Sequence, residues 1–127
     1  MLAVDTNVLV RLLVRDDDHQ ATLADHFVAK GAWVSHLVLA ETVWVLDAVY
    51  ERSPSQLIAA LDLLLAHESL VLQDADTVSA ALTQFRAKSA LGFSDCLVLE
   101  IARKAGHVPL GTFDGALAKL QGTHKIS

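Results

Sequence analysis

Apolar positions along the chain fall into short continuous runs separated by stretches with helical spacing. Leu2 to Val4 is a brief apolar run ending at Asp5, after which Val8, Leu9, Leu12 and Leu13 recur at helical intervals, so the start reads as strand, turn and helix. Asp17 stands three residues before Gln20, a spacing similar to a capping box, and predicts a second helix that Gly31 closes from a left-handed position. Trp33-Val34 reads as a short strand, and His36 to about Tyr50 as a helix. Ser53-Pro54-Ser55-Gln56 supplies an N-cap, a proline at the first helical position and a glutamine at the third, which makes it the clearest helix start in the chain. That helix turns Leu57, Ala60, Leu61 and Leu64 to one side and ends near His67. Leu70-Val71-Leu72 is a third strand, followed by a helix from about Asp76 to Lys88. Ser94 is expected to cap a helix running to Ala105, with Phe93 stapled against Val98 and Gly106 as the C-terminal stop. Val108 to Gly111 is the fourth strand candidate, and Thr112-Phe113-Asp114 leads into a short helix through Leu120.

Strands alternating with helices predict an α/β domain with a mainly parallel sheet, whose ligands bind beyond the carboxyl ends of the strands. With 127 residues, the expectation is one domain over 1–127, without linker, repeat or low-complexity segment. A hydrophobic fraction of 53% is high for so short a chain, so part of its apolar surface is expected to be kept for a partner. The helices at 36–50 and 54–67 are the expected source of that surface. Polar residues break every apolar run well short of the roughly 20 residues a membrane span needs. No basic stretch or small-residue cleavage site follows Met1, and the single Cys96 has no internal disulfide partner, so the expected location is cytoplasmic.

The formal net charge of -5 argues against a broad basic surface for nucleic acid. It is compatible with a cleft of carboxylates that divalent cations neutralise. Asp5 stands where the first strand ends and Asp114 where the fourth ends, Asp95 falls in the first turn of a helix, and Glu41 lies inside an apolar helical run. A parallel sheet would bring the two strand-end acids to one edge. Carboxylate and water oxygens suit Mg²⁺ or Mn²⁺ and leave positions open for a phosphate, chemistry that serves phosphodiester hydrolysis.

Each acid also has a plainer explanation. Asp5 can simply cap the first helix, Asp114 before Gly115 can form an Asx turn, and Asp95 gains from the helix dipole. Glu41 shares a face with Leu37 and Val45 and has no basic residue three or four positions away, so burial there would be costly without a cation. Glu100 reads as a surface pair with Lys104, and Asp16 to Asp18 as a solvated loop. Arg11, Arg15, Arg86, Lys88 and Arg103 could touch phosphate, but solvated helix surfaces account for them more simply. No zinc spacing, Walker A, dinucleotide or nucleophile-elbow motif is present.

The segments D-T-N-V-L-V-R-L-L at 5–13, L-A-E-T-V-W-V-L at 39–46, F-S-D-C-L-V-L-E-I-A at 93–102 and T-F-D-G-A-L at 112–117 resemble the four motif blocks of PIN domains, especially VapC-type toxins. The resemblance implies a three-layer α/β/α sandwich with a mainly parallel sheet of four or five strands. It implies that Asp5, Glu41, Asp95 and Asp114 are the catalytic and metal-holding acids, with Asn7 and Thr112 as polar supports. It further implies a Mg²⁺- or Mn²⁺-dependent endoribonuclease acting on RNA, and the toxin role in a type II toxin–antitoxin pair. The implied partners are a second copy of the chain and a VapB-like antitoxin, with DNA reached only through that antitoxin. Ser94 stands where alanine is common in the family. A receiver-like signalling domain fits less well, because Asp5-Thr6-Asn7 lacks paired acids and Gly111-Thr112-Phe113-Asp114 lacks the expected lysine. A haloacid-dehalogenase-like phosphatase would need a second acid at Asn7. A non-catalytic interaction protein on the same scaffold would leave four acids unexplained.

Overall fold

In the computed structural model, which describes all 127 residues, six α-helices alternate with five short strands. The chain divides into two compact units, Met1–Ala75 and Asp76–Ser127.

The first unit holds β1 (Leu2–Ala3), α1 (Thr6–Val14), α2 (Asp18–Val28), β2 (Ala32–Val34), α3 (His36–Ala48), α4 (Pro54–Ala66) and β3 (Leu70–Leu72). Its strands pair in parallel in the order β1-β2-β3, with Ala3 opposite Trp33 and Trp33 opposite Val71. Side chains alternate across such a sheet, so Val4, Ala32, Val34, Leu70 and Leu72 share the buried face while Trp33 and Val71 are turned outward. The helix starts are set locally. Asp5, Asp17, Ser35 and Ser53 each occupy an N-cap and accept an amide of the first turn. At Ser53 the bond is reciprocal, because Gln56 Oε1 accepts the Ser53 amide at 2.8 Å while Ser53 Oγ accepts the Gln56 amide at 3.3 Å. Leu9, Leu39, Leu61 and Leu64 make the centre of this core.

The second unit holds α5 (Ala75–Ala87, from its second residue), α6 (Phe93–Lys104), β4 (Leu110–Thr112) and β5 (Thr123–Lys125), with 3₁₀ turns at Ser89–Leu91 and Leu117–Lys119. Strands β4 and β5 pair with each other in parallel. Phe85 and Phe93 meet edge to face at 6.1 Å over a core that includes Val78, Cys96 and Leu99.

Four sequence expectations change in this unit. Ser94 does not cap α6; Gly92 takes that position, because the buried Phe93 ring packs on Phe85 from the first helical residue and draws the helix start forward. The fourth strand begins at Leu110, where the Leu110 amide donates to Gly122 O at 2.8 Å, rather than at Val108. The helix expected through Leu120 is a single 3₁₀ turn, and the residues beyond it, to which the pattern assigns no element, form a fifth strand. Glu100 is buried at 7% exposure, accepting Arg103 Nε at 3.2 Å and Gln84 Nε2 at 3.4 Å, so it is an interior ion pair rather than a surface residue. Its helix face is shared with Cys96, Leu97 and Leu99, all buried, which carries the carboxylate inward with them.

Candidate active site

Within the first unit, Asp5 stands at the carboxyl end of β1. Its Oδ1 accepts the Val8 amide at 3.1 Å, which confirms the capping role read from the sequence. The cap engages one carboxylate oxygen, and a carboxylate can hold a cation through its other oxygen at the same time. Asp5 and Asn7 both line a cavity of about 330 Å³ between α1 and α2, with Val8, Leu23 and Phe27 on its apolar side. Arg11 also reaches this cavity, but its guanidinium is already committed, donating to Asp16 Oδ1 at 2.7 Å and to the Tyr50 hydroxyl at 2.9 Å. Glu41 lies on the exposed side of α3, in line with Leu37 and Trp44, which are 69% and 65% exposed. The desolvation argument made for Glu41 therefore does not apply. Its neighbours are apolar, but the carboxylate is in water.

Within the second unit, Asp95 occupies the first turn of α6 and is half-buried. Burial pushes its carboxyl above the usual aspartate range, and the nearby charge of Asp114 pushes it in the same direction. Asp114 is fixed by its own turn: Oδ1 accepts the amides of Ala116 at 2.7 Å and Leu117 at 3.1 Å, while the Asp114 amide donates to Thr112 Oγ1 at 3.0 Å. Thr112 at the end of β4 thus orients the turn that carries the acid. The structure thus places Asp95 and Asp114 near enough for their charges to interact, and no group of three or more His, Cys, Asp or Glu side chains stands as a metal-binding cluster. Cys96, next in sequence, is fully buried, and burial followed by the charges of Asp95 and Glu100 lifts its thiol to about 11, so it is neither a nucleophile nor a ligand at neutral pH.

Within the second unit the donors are the carboxylate oxygens of Asp95 and Asp114, with the hydroxyl of Thr112 beside Asp114. Such a set fits a hard divalent cation such as Mg²⁺ or Mn²⁺ and does not fit zinc or copper. Burial and the charge of Asp114 both disfavour the charged form of Asp95, and a bound cation would offset both.

One basic residue not singled out from the sequence belongs to this neighbourhood. Lys125 in β5 lies opposite Thr112 in β4, and a Cβ added at Gly115 would stand 3.8 Å from its Nζ. Its role carries no signal in the residue pattern, because a three-residue strand Thr123-His124-Lys125 is too short for alternation to be recognised.

Comparison with curated proteins and with solved structures returns no match. The PIN domain family matches residues 2–122, nearly the whole chain, and the chain belongs to that family, whose members are generally nucleases.

Proposed function

We propose that this protein is a Mg²⁺- or Mn²⁺-dependent endoribonuclease and acts as the toxin of a type II toxin–antitoxin pair. PIN nucleases bind RNA and typically use divalent metals. The observation that carries the nuclease reading is the half-buried Asp95 feeling the charge of Asp114, which two backbone amides fix just beyond the end of β4. Asp5, Glu41, Asp95 and Asp114 are the carboxylates we assign to metal holding and catalysis, with Asn7 and Thr112 supporting them. A divalent cation bound by such acids lowers the pKa of a coordinated water and offsets charge on the scissile phosphate. The chain's own part is positional. The turn at Asp114 is locked by two amides and by Thr112, so its carboxylate needs little reorganisation to meet a cation, while Asp95 is placed by its position in the first turn of α6.

The toxin assignment rests on the VapC-like motif blocks and on apolar surface left for partners. Leu37 and Trp44 flank Glu41 on the exposed face of α3, and Leu63 on α4 is 55% exposed. Leu63 also borders a cavity of about 250 Å³ with Leu13, Leu46 and Ala60, close to the two helices expected to present such surface. We assign these features to a homodimer contact and to an amphipathic helix of a VapB-like antitoxin, DNA being reached only through that antitoxin. The test is expression of the chain alone and with the product of its neighbouring small reading frame, followed by co-purification and mapping of RNA 5′ ends. Growth arrest with new RNA ends alone, and a stable inactive complex with the neighbour, are expected. New ends without arrest or complex would leave the nuclease and remove the toxin role, whereas no metal-dependent cleavage of any RNA would remove both.

A further inference from the structure

The basic residues most readily read as phosphate contacts are largely occupied. Arg11 is held by Asp16 and Tyr50, Arg15 by both oxygens of Asp25, and Arg103 by Glu100 and the Gln121 carbonyl. Lys125 differs. Its ammonium is exposed and engaged in no hydrogen bond or ion pair.

Its place is nevertheless well fixed. Strand β5 is tied to β4 at both ends, through Leu110 N to Gly122 O at 2.8 Å and Ile126 N to Thr112 O at 2.8 Å, with Thr112 opposite Lys125 in register. The next residue, Ile126, packs its side chain over Gly111, its Cδ1 3.1 Å from where a Cβ there would stand, which holds β5 against β4 beside Lys125. Gly115 offers no side chain of its own, and the Lys125 Nζ lies beside it, one residue from Asp114. An unpaired cation is thus built into the carboxyl edge of a parallel strand pair, next to an acid whose Oδ1 is held by two backbone amides. A solvated lysine would have no need of that anchoring. In a site dominated by negative charge, an anionic polymer needs at least one fixed positive point to approach.

We propose that Lys125 is a substrate-binding residue that contacts a backbone phosphate of single-stranded RNA beside the Asp114 turn. The inference rests on the nuclease reading for its substrate class, and it predicts an effect on binding rather than on chemistry. A lysine acting as a point charge on phosphate weakens all sequences alike when removed, and it lowers the salt dependence of binding by about 0.7 in the log–log slope for a single strand.

The test measures affinity for a fluorescein-labelled single-stranded RNA by anisotropy against salt. It uses Asp95→Asn protein to prevent cleavage, with and without Lys125→Ala, Lys125→Gln and Lys125→Arg. Both neutral variants are expected to bind about tenfold more weakly, with the slope reduced by about 0.7, and the arginine variant to bind as the lysine parent does. In the cleaving protein the same neutral substitutions are expected to raise KM and leave kcat within about twofold, since a contact made equally in ground and transition states changes binding alone. Unchanged affinity and slope in the neutral variants would overturn the proposal, as would a loss confined to kcat. Lys125-dependent binding by a parent that cleaves no RNA would uphold this contact while overturning the nuclease reading.

Discussion

Asp95 shows how two opposing effects on one carboxylate are decided. The N-terminal turn of α6 favours its charged form by roughly 0.3 to 1 kcal/mol. Burial and the charge of Asp114 act the other way and prevail, because the carboxyl is held above its ordinary range. A raised carboxyl means that the folded state keeps its proton where the unfolded state has lost it. The metal-free fold is therefore favoured at low pH and loses that contribution as pH rises from the ordinary aspartate range through the raised value. Asparagine at this position keeps the shape and removes the charge. Asp95→Asn is expected to reduce RNA cleavage by roughly 100-fold or more while leaving the metal-free protein at least as stable, with a flatter dependence of stability on acid pH. Urea midpoints across the acid range, measured in chelator beside a cleavage assay, give the result. A variant that cleaves as the parent does would remove Asp95 from the site, and a marked loss of metal-free stability would mean that its carboxylate is a structural partner.

Among the elements, those with strong local signals were legible. The capping box at Ser53, the left-handed Gly31 and Gly106, and the apolar triplet Leu70-Val71-Leu72 all stand where the pattern predicts them. What was hidden depends on tertiary packing. Phe93 overrides Ser94 as the start of α6, and β5 exists only because β4 offers it a parallel edge. Of the candidate site, the positions of Asp5, Asp95 and Asp114 at strand ends and in a first turn were readable, whereas the exposure of Glu41 was not, because Leu37 and Trp44 on the same face mimic a buried stripe. Glu100 was misread for the converse reason: its partner is Arg103, three residues on, and the helix face it occupies is turned into the core. Arg103 also donates to the Gln121 carbonyl at 2.7 Å and fills the space beside Gly122, where a Cβ would meet its guanidinium at 2.9 Å. It therefore ties α6 to the turn that launches β5. Arg103→Ala is expected to destabilise the protein by about 2 to 3 kcal/mol, since it leaves the buried Glu100 carboxylate short of a charged donor. Adding Glu100→Gln should recover part of that loss. A double-mutant cycle on thermal or urea unfolding measures the coupling, and purely additive losses would show that the two side chains do not act together.

At the scale of the whole molecule, the acidic balance and the arrangement of carboxylates belong to the same argument. A chain with a net charge of -5 that acts on a polyanion needs mobile cations at its acids, because several of its fixed positive charges, Arg11, Arg15 and Arg103 among them, are engaged in internal pairs. The half-buried Asp95 and the nearby Asp114 carry repulsion that a bound divalent ion would relieve, so binding should stabilise the fold as well as permit catalysis. Chelation is expected to abolish cleavage and to lower the unfolding temperature slightly. Mg²⁺ or Mn²⁺ should restore both, with stability rising with metal concentration as RT ln(1 + [L]/Kd). Calcium should restore stability but little cleavage, because its longer and looser coordination holds carboxylates without placing the attacking water well. The same titration on Asp95→Asn separates the two effects, since that variant should gain little stability from any of the three ions. Full cleavage in chelator would sink the metal mechanism, and equal stabilisation of parent and variant would show that the ion binds elsewhere.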